Sequence, residues 1–428
     1  NHGHVFMPYH KATLTDEIAN NMKRYHLTLA AALLVASCGD EKLVRPLITV
    51  DGPIVHEVAI SVRMNDLRTQ LGDPMHIRVS DATDLSSPVP HQLDDLDADG
   101  SADEVFILIG PSDGQLRLTV QPSETAADLP SRTQAVLAVR QDGRFEDGAY
   151  VEGSDYVSVR SVEVPAEQEQ DSDWAMYEGP VWESDRVGWR YYLDDRNRID
   201  IFGKKTPNLV LHEHYEDYHS ISDWGADILK VGESLGIGSA AIETDSGPKV
   251  IDNAATRRVD IVANGPLRSI IRTTYSEWMV GNRSLDVVSE LENRAGQRWT
   301  EHRIDLAGDT AGVVMLTGIV KHPGAPDLIS GEEAGIFFAF TYGPQTDQGH
   351  RLGMAILVPP DHVPELGTPD SLTHLVRMTP LEGRVGYRFL ASWELERDST
   401  TNPDAFEALV RWAASNWAAE RATWVAIQ

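Results

Sequence analysis

VDIVANGPLRSIIRTTYSEWMVGNRSLDVVSEL, residues 259–291, is the stretch that decides the fold class. Three runs rich in β-branched and aromatic residues, 259–262, 269–275 and 284–291, are separated by Asn-Gly-Pro and Gly-Asn breaks. Such side chains suit a pleated, half-buried surface, and Gly, Asn and Pro mark the turns between strands. The pattern continues in both directions. Toward the C-terminus it recurs at 313–320, 336–340, 354–358 and 388–394, and toward the N-terminus at 187–193. Further upstream, 56–63, 116–120 and 135–139 alternate apolar with polar residues, and 105–109 is wholly apolar.

One segment near the end reads as a clear helix. Asn402 caps it, Pro403 takes its first position, and Phe406, Leu409, Val410, Ala413 and Trp417 form one apolar stripe. The expected fold is therefore mainly β. An N-terminal antiparallel β-sandwich spans 55–163, an acidic polar linker 164–174, and a larger supersandwich-like antiparallel domain 175–428, closed by the C-terminal helix. No internal repeat interrupts this order.

The first residue is Asn1, and a leader begins only at Met22: MKRYHLTLAAALLVASCGD. Lys23 and Arg24 supply a positive start, and 27–35 is apolar but shorter than the roughly 20 residues a membrane span needs. Val35-Ala36-Ser37-Cys38 then fits a lipobox. Residues 22–38 are read as a lipoprotein signal peptide, 1–21 as an upstream segment, and 39–54 as a tether. The plainer alternative is a buried N-terminal helix. Lipid on Cys38 implies an exported bacterial protein, periplasmic or at the cell surface, that meets the membrane only through its anchor. Cys38 is the single cysteine, which excludes a disulfide framework. A formal net charge of −29 argues against nucleic acid as a partner.

Three constellations carry chemistry. In Asp95-x-Asp97-x-Asp99-Gly100-x-x-Asp103-Glu104, alternate carboxylates before a glycine suit a structural calcium ion, with Asp103 or Glu104 as the two-oxygen ligand. The alternative is a solvated acidic turn. In 182–192, strand alternation places Arg186, Gly188, Arg190 and Tyr192 on one face, where they can grip a carboxylate and stack on a sugar. A rim cluster with Glu183 and Asp185 is the competing explanation. The third is His212-Glu213-His214-Tyr215-Glu216-Asp217-Tyr218-His219, followed by Trp224 and Gly-rich flanks. Three histidines and two tyrosines offer acid–base groups, and His214 with His219 offers the start of a zinc site, although no HExxH spacing exists. Lys204, Lys205 and Lys230 lie close in sequence. A surface loop with incidental histidines is the alternative here.

Gln92-x-x-Asp95 with DADGSADE (97–104), WESDRVGWRYY (182–192), HYEDYH (214–219), WGADILKVGESLGIG (224–238) and ANGPLR (263–268) together resemble the domain-of-unknown-function 4861 family. The resemblance covers nearly the whole chain after the leader. Where the family follows its Tyr-His with a Gly-Glu-Gly type of turn, this chain has Ile221-Ser222-Asp223-Trp224-Gly225. The resemblance implies an exported protein acting on uronic-acid-containing oligosaccharides, as a lyase or oligosaccharide dehydratase. Elimination from a uronate needs a neutralised carboxylate, a base for the C5 proton and an acid for the oxygen leaving C4. Arg190, aided by Arg186 or Lys205, suits the first role, His214 or His219 the second and Tyr218 the third. Tyr192, Trp224 and Lys230 complete the expected substrate contacts. The rivals are a non-catalytic glycan-binding lipoprotein and a glycoside hydrolase drawing its carboxylate pair from Glu178, Glu183, Asp217 and Asp227.

Overall fold

In the computed structural model, residues 45–428 are described, apart from 52, 53, 55, 56, 113, 323 and 325. Cys38 and the expected leader lie outside the described residues. The runs quoted above form the longest strands of a nine-stranded sheet, ordered Ser161–Glu163, Thr256–Asn264, Arg268–Val280, Arg283–Arg294, Trp299–Gly308, Arg384–Trp393, Arg351–Val358, Ile336–Pro344 and Ile329–Glu333. Among the described residues the strands form seven sheets whose strand ladders are antiparallel, with one isolated parallel bridge between Ile199 and Gly236, and the C-terminal helix is Pro403–Ala422. The protein is mainly β, as its alternation predicts.

The helix start follows its sequence signals. Asn402 Oδ1 accepts from Ala405 N at 2.9 Å, worth about 1 kcal/mol for such a cap. Phe406, Val410, Ala413 and Trp417 are buried against Phe338, Phe340, Leu357 and Leu390 of the nine-stranded sheet. A second helix, Met64–Leu71, was not expected. Its signal is short, with Met64 and Leu67 buried and Leu71 packed beside them at helical spacing.

The sheets do not divide where composition suggested. Thr133–Val136, assigned from sequence to the first region, pairs with Val181–Ser184, and Ser161–Glu163 pairs with Thr256–Asn264. The last strand, Trp424–Ile427, returns to pair with the first, Leu47–Asp51. Residues 164–174 are packed: Val164, Gln168, Ser172 and Trp174 are buried, and Ser172 Oγ donates to Gln168 Oε1 at 2.6 Å. Polar composition read as a linker because that mutual bond is invisible in sequence. Arg45–Gln428 forms one compact unit. Among the described residues no helix is long and apolar enough to cross a membrane.

A five-stranded sheet, ordered Gly225–Asp227, Ile199–Lys204, Val187–Tyr191, Val181–Ser184 and Thr133–Val136, carries the second constellation, and the third lies in the connection between Ile199–Lys204 and Gly225–Asp227. Its first three strands position the site described next.

Candidate active site

Strand register brings three charged side chains to one face. Arg190 pairs with Asp200 across the ladder, and Asp227 pairs with Phe202, two residues further along the same strand as Asp200. Residues two apart on a strand share a face, so Arg190, Asp200 and Asp227 converge. Arg190 Nη2 donates to Asp200 Oδ2 at 2.5 Å, Asp227 Oδ2 at 2.7 Å and the Tyr192 hydroxyl at 2.6 Å. Its Nη1 donates to the Tyr218 hydroxyl at 3.2 Å. Tyr192 also donates to Asp200 Oδ2, at 2.8 Å.

The turn over this cluster is held by its backbone. Asp227 N donates to the Tyr218 carbonyl at 2.7 Å, and Gln348 Nε2 reaches the carbonyls of His219 and Asp227, each at 3.4 Å. His219 Nδ1 thereby stands 3.6 Å from Asp227 Oδ2, with its side chain 74% exposed above a carboxyl that is 9% exposed. The Tyr218 and His219 rings touch at 4.2 Å between centroids.

Two carboxyls share one guanidinium, and the imbalance bears on Asp227. Burial, followed by the charge of Asp200, pushes Asp227 up to about 8, and Arg190 offsets only part of that rise. Burial also raises the Tyr218 phenol, so it stays protonated at neutral pH. A protonated carboxyl, a phenol donor and an exposed imidazole thus lie within contact of one another. That set can move protons in both directions at a bound substrate.

Several expected roles change. Arg190 is 2% exposed and committed to two aspartates, so it cannot offer the planar grip on a substrate carboxylate expected of it. Tyr192 is buried, with Arg190 and Arg196 over its ring at 4.6 and 3.8 Å, so it is no sugar platform. Arg186 stands about 13 Å along the chain from Arg190, given the rise of a strand, and pairs with Asp398 at 3.0 Å. Trp224 is buried beneath His214, whose ring lies parallel to it at 5.4 Å. Lys205 Nζ donates to the Ser222 carbonyl at 2.9 Å, and Lys230 is exposed. Of the four expected catalytic residues, the structure brings Arg190, Tyr218 and His219 together.

In the acidic loop, oxygens of Asp95, Asp97 and Asp99 lie within 4.8 Å of one another. Among the described residues this is the sole group of three or more such ligands around one point, so His214 and His219 gain no third partner. Asp103 and Glu104 lie outside that group of three. Asp103 Oδ2 accepts from Leu96 N at 2.7 Å, and Glu104 binds Arg268 at 2.8 Å. Asp95, Asp97 and Asp99 are the carboxylates that the loop holds around one point.

Asp200 and Gln348 were missed in sequence. A lone carboxylate inside the apolar run Ile199–Phe202 was the available signal for Asp200, since such a residue must find a buried cation. Gln348 carries none.

The fold and site define an antiparallel β protein with a buried carboxyl–guanidinium pair beneath a His/Tyr turn. The family model described as "Domain of unknown function (DUF4861)" matches residues 56–419, and the chain belongs to that family. "Uncharacterized protein P7" of Formosa agariphila is 22% identical over 356 residues, covering 77% of this chain and 80% of that protein. Two solved structures from Enterococcus faecalis, a protein in the Glycosyl Hydrolase Family 38 and an alpha-mannosidase, are each 9% identical. They cover 90% of this chain at TM-scores of 0.41 and 0.36. The chain spans about half the length of each, 48% and 46%.

Proposed function

We propose that this protein is an acid–base enzyme acting on uronic-acid-containing oligosaccharides, removing water or a sugar alkoxide by β-elimination. The observation that carries the reading is His219 and Tyr218 held over the buried, proton-retaining carboxyl of Asp227. His219 takes the proton from C5 as the C5–H bond breaks. The electron pair forms the C4–C5 double bond, and the bond from C4 to its oxygen breaks. That oxygen leaves with a proton from Asp227 or Tyr218. Arg190 acts from behind, orienting Asp227 and the Tyr218 hydroxyl, and the exposed Lys230 is left as the cation for the uronate carboxylate.

The two rivals find less support. A hydrolase needs two separated carboxyls about 5–9.5 Å apart that both face the sugar. Glu183 is fully buried and held by Lys204, Gln134 and the amides of Val210 and Leu211, while Glu178 is tied to Arg196 at 3.0 Å. A pure binding module would use open aromatic faces, and those of Tyr192 and Trp224 are covered. The same proposal includes export, with lipid on Cys38 as the anchor, and a structural calcium ion at Asp95, Asp97 and Asp99.

The test is incubation with a panel of uronic oligosaccharides, followed by mass and ultraviolet absorbance. Loss of one water, or chain cleavage that creates an absorbing unsaturated uronate, supports elimination. New reducing ends without unsaturation, or no reaction across the panel, overturns it.

A further inference from the structure

A cavity of about 840 Å³ opens beside Thr133–Val136, the edge strand of the five-stranded sheet. In the ladder Gln134 stands opposite Glu183, and Val136 stands opposite Val181, which in turn faces Arg190. Gln134, Glu183 and Arg190 therefore share the face that carries Asp227, with Gln134 two strand spacings, roughly 10 Å, across from Arg190. The cavity wall uses stretches that the proposed reaction leaves idle, Gln92 and residues 263–266. Asn264 ties them to the edge strand: its Oδ1 accepts from Ala135 N at 3.0 Å and its Nδ2 donates to the Ala135 carbonyl at 2.9 Å. Gly265 closes on Gln92, where a Cβ would come within 2.4 Å of the amide carbon.

Two polar side chains are fixed at this cavity with bonding capacity left over. Glu183, wholly buried and paired with Lys204, accepts from Gln134 Nε2 at 2.5 Å. A carboxylate only accepts, so the amide nitrogen must face it. The second N–H of Gln134 meets His212 Nδ1 at 3.1 Å, and Gln134 Oε1 is left without a donor among the described residues. Arg160 is the other. Its Nε donates to the Ile261 carbonyl at 3.2 Å, and its Nη2 to the carbonyls of Asp95 and Val262 at 2.8 and 3.2 Å. Three neutral carbonyls hold the guanidinium in place without cancelling its charge, and no carboxylate among the described residues pairs with it. The two acidic residues of the wall are engaged elsewhere. Asp94 pairs with Arg268 at 2.7 Å, and the Asp95 carboxylate accepts from Asp99 N and Gly100 N at 3.1 and 3.0 Å.

We infer that this cavity is a second carbohydrate subsite, holding a non-reacting uronate unit of the oligosaccharide whose neighbour reacts at His219. Arg160 takes the carboxylate of that unit through its free Nη1, and Gln134 Oε1 accepts from a sugar hydroxyl. The substrate class rests on the proposed function. Ligand cavities of about 300–1,000 Å³ combine an apolar wall with a few fixed polar groups, and here Leu137, Ile261 and Val262 supply that wall. The turn from His212 to His219 borders the cavity at one end and the reaction site at the other, so one sugar chain can reach both. Glu183 sets the start of that turn by accepting from Val210 N and Leu211 N, each at 2.7 Å. Binding energy gathered at the distant unit then fixes the reacting unit in place.

Wild type, Arg160→Gln and Ala127→Trp are to be compared by calorimetric titration with glucuronate- and galacturonate-containing tetrasaccharides and with their carboxyl-reduced counterparts. Ala127 is an exposed residue of the cavity wall, so an indole there fills the space while the fold keeps its contacts. Arg160→Gln is expected to weaken a uronic sugar by about tenfold or more, the scale of a hydrogen bond to a charged group, and its reduced counterpart by less than about twofold. Ala127→Trp is expected to weaken both by about tenfold or more, with melting unchanged. Arg160 also holds three carbonyls, so if Arg160→Gln melts early or fails to fold, Ala127→Trp settles the matter. Affinity of Ala127→Trp within about twofold of wild type overturns the inference. So does an equal loss for both sugars in a stably folded Arg160→Gln, or no binding by wild type. Binding is read without turnover. Loss of affinity in both variants, by a protein that yields no eliminated product, keeps this subsite and overturns the proposed reaction alone.

Discussion

On the nine-stranded sheet, Glu292 faces Arg294, Arg303 and Arg268 at 2.5, 2.9 and 3.7 Å, while in the five-stranded sheet Arg190 alone faces both Asp200 and Asp227. Both clusters are buried and use the same residue types. Burial alone raises a carboxyl, yet the three arginines hold Glu292 well below the usual carboxylate range. Glu420, between Arg294 and Arg388, is likewise lowered against burial. In the other cluster the cations run short, and Asp227 keeps its proton. The ratio of arginines to carboxylates, rather than burial, separates a cluster that fastens the fold from one with a proton to give.

Removing one partner from the first cluster is the most damaging test of that contrast. Glu292→Gln leaves Arg268, Arg294 and Arg303 short of their common counter-charge in a dry setting. A loss of about 3–5 kcal/mol is expected in denaturant melts. A loss below about 1 kcal/mol, the scale of a surface pair, would mean the network is not the fastening it is taken for.

A second buried group tests burial without any ion partner. His302 donates to or accepts from Ser289, Tyr387 and Gly238 in the core, and burial lowers it to about 4. It is neutral in the fold but protonates in the unfolded chain below about 6.5. The stability it gives is therefore present above pH 6.5 and lost as pH falls toward 4, by about 3 kcal/mol. His302→Gln is expected to flatten that acid limb, and an unchanged limb would exclude His302 as its source.

At the second cluster the effect is on rate. His219→Ala and Tyr218→Phe are each expected to lower turnover of uronic oligosaccharides by about 10²-fold or more, with melting little changed because both sit at the surface of the site. His214→Ala, stacked over Trp224, is expected to stay within about threefold, well inside the effect of losing an acid or base. Equal losses for His214 and His219 would contradict the geometry.

The acidic loop is the limiting case, three carboxylates facing one another without an arginine. Calcium at millimolar concentration is expected to raise the melting temperature by a few degrees, and Asp97→Ala with Asp99→Ala to abolish the shift. Absence of any shift in wild type counts against an ion there.

Sequence carried the fold class and much of the site's membership, but not its wiring. Asn402 and Pro403 marked the helix start to the residue, and alternation located the long strands, because both are local effects of the chain on itself. Partner choice is not local, and nothing in residues 133–136 shows that they will join 181–184. The same limit governed Arg190. Its presence at the site was readable, but its role was inverted, since only the ladder register brings Asp200 opposite it.

The protonation of Asp227 is the claim on which the rest depends, and side-chain carboxyl NMR across a pH series measures it directly. In wild type one aspartate should titrate near pH 8, and Asp227→Asn should remove that signal alone. Stability should move in step. A carboxyl raised from 3.8 favours the fold below that value, and the benefit is lost as pH rises through about 8, so the variant should lose less stability over that range. If every aspartate in wild type titrates below about pH 5, as ordinary surface carboxyls do, Asp227 is ionised at neutral pH and cannot be the acid.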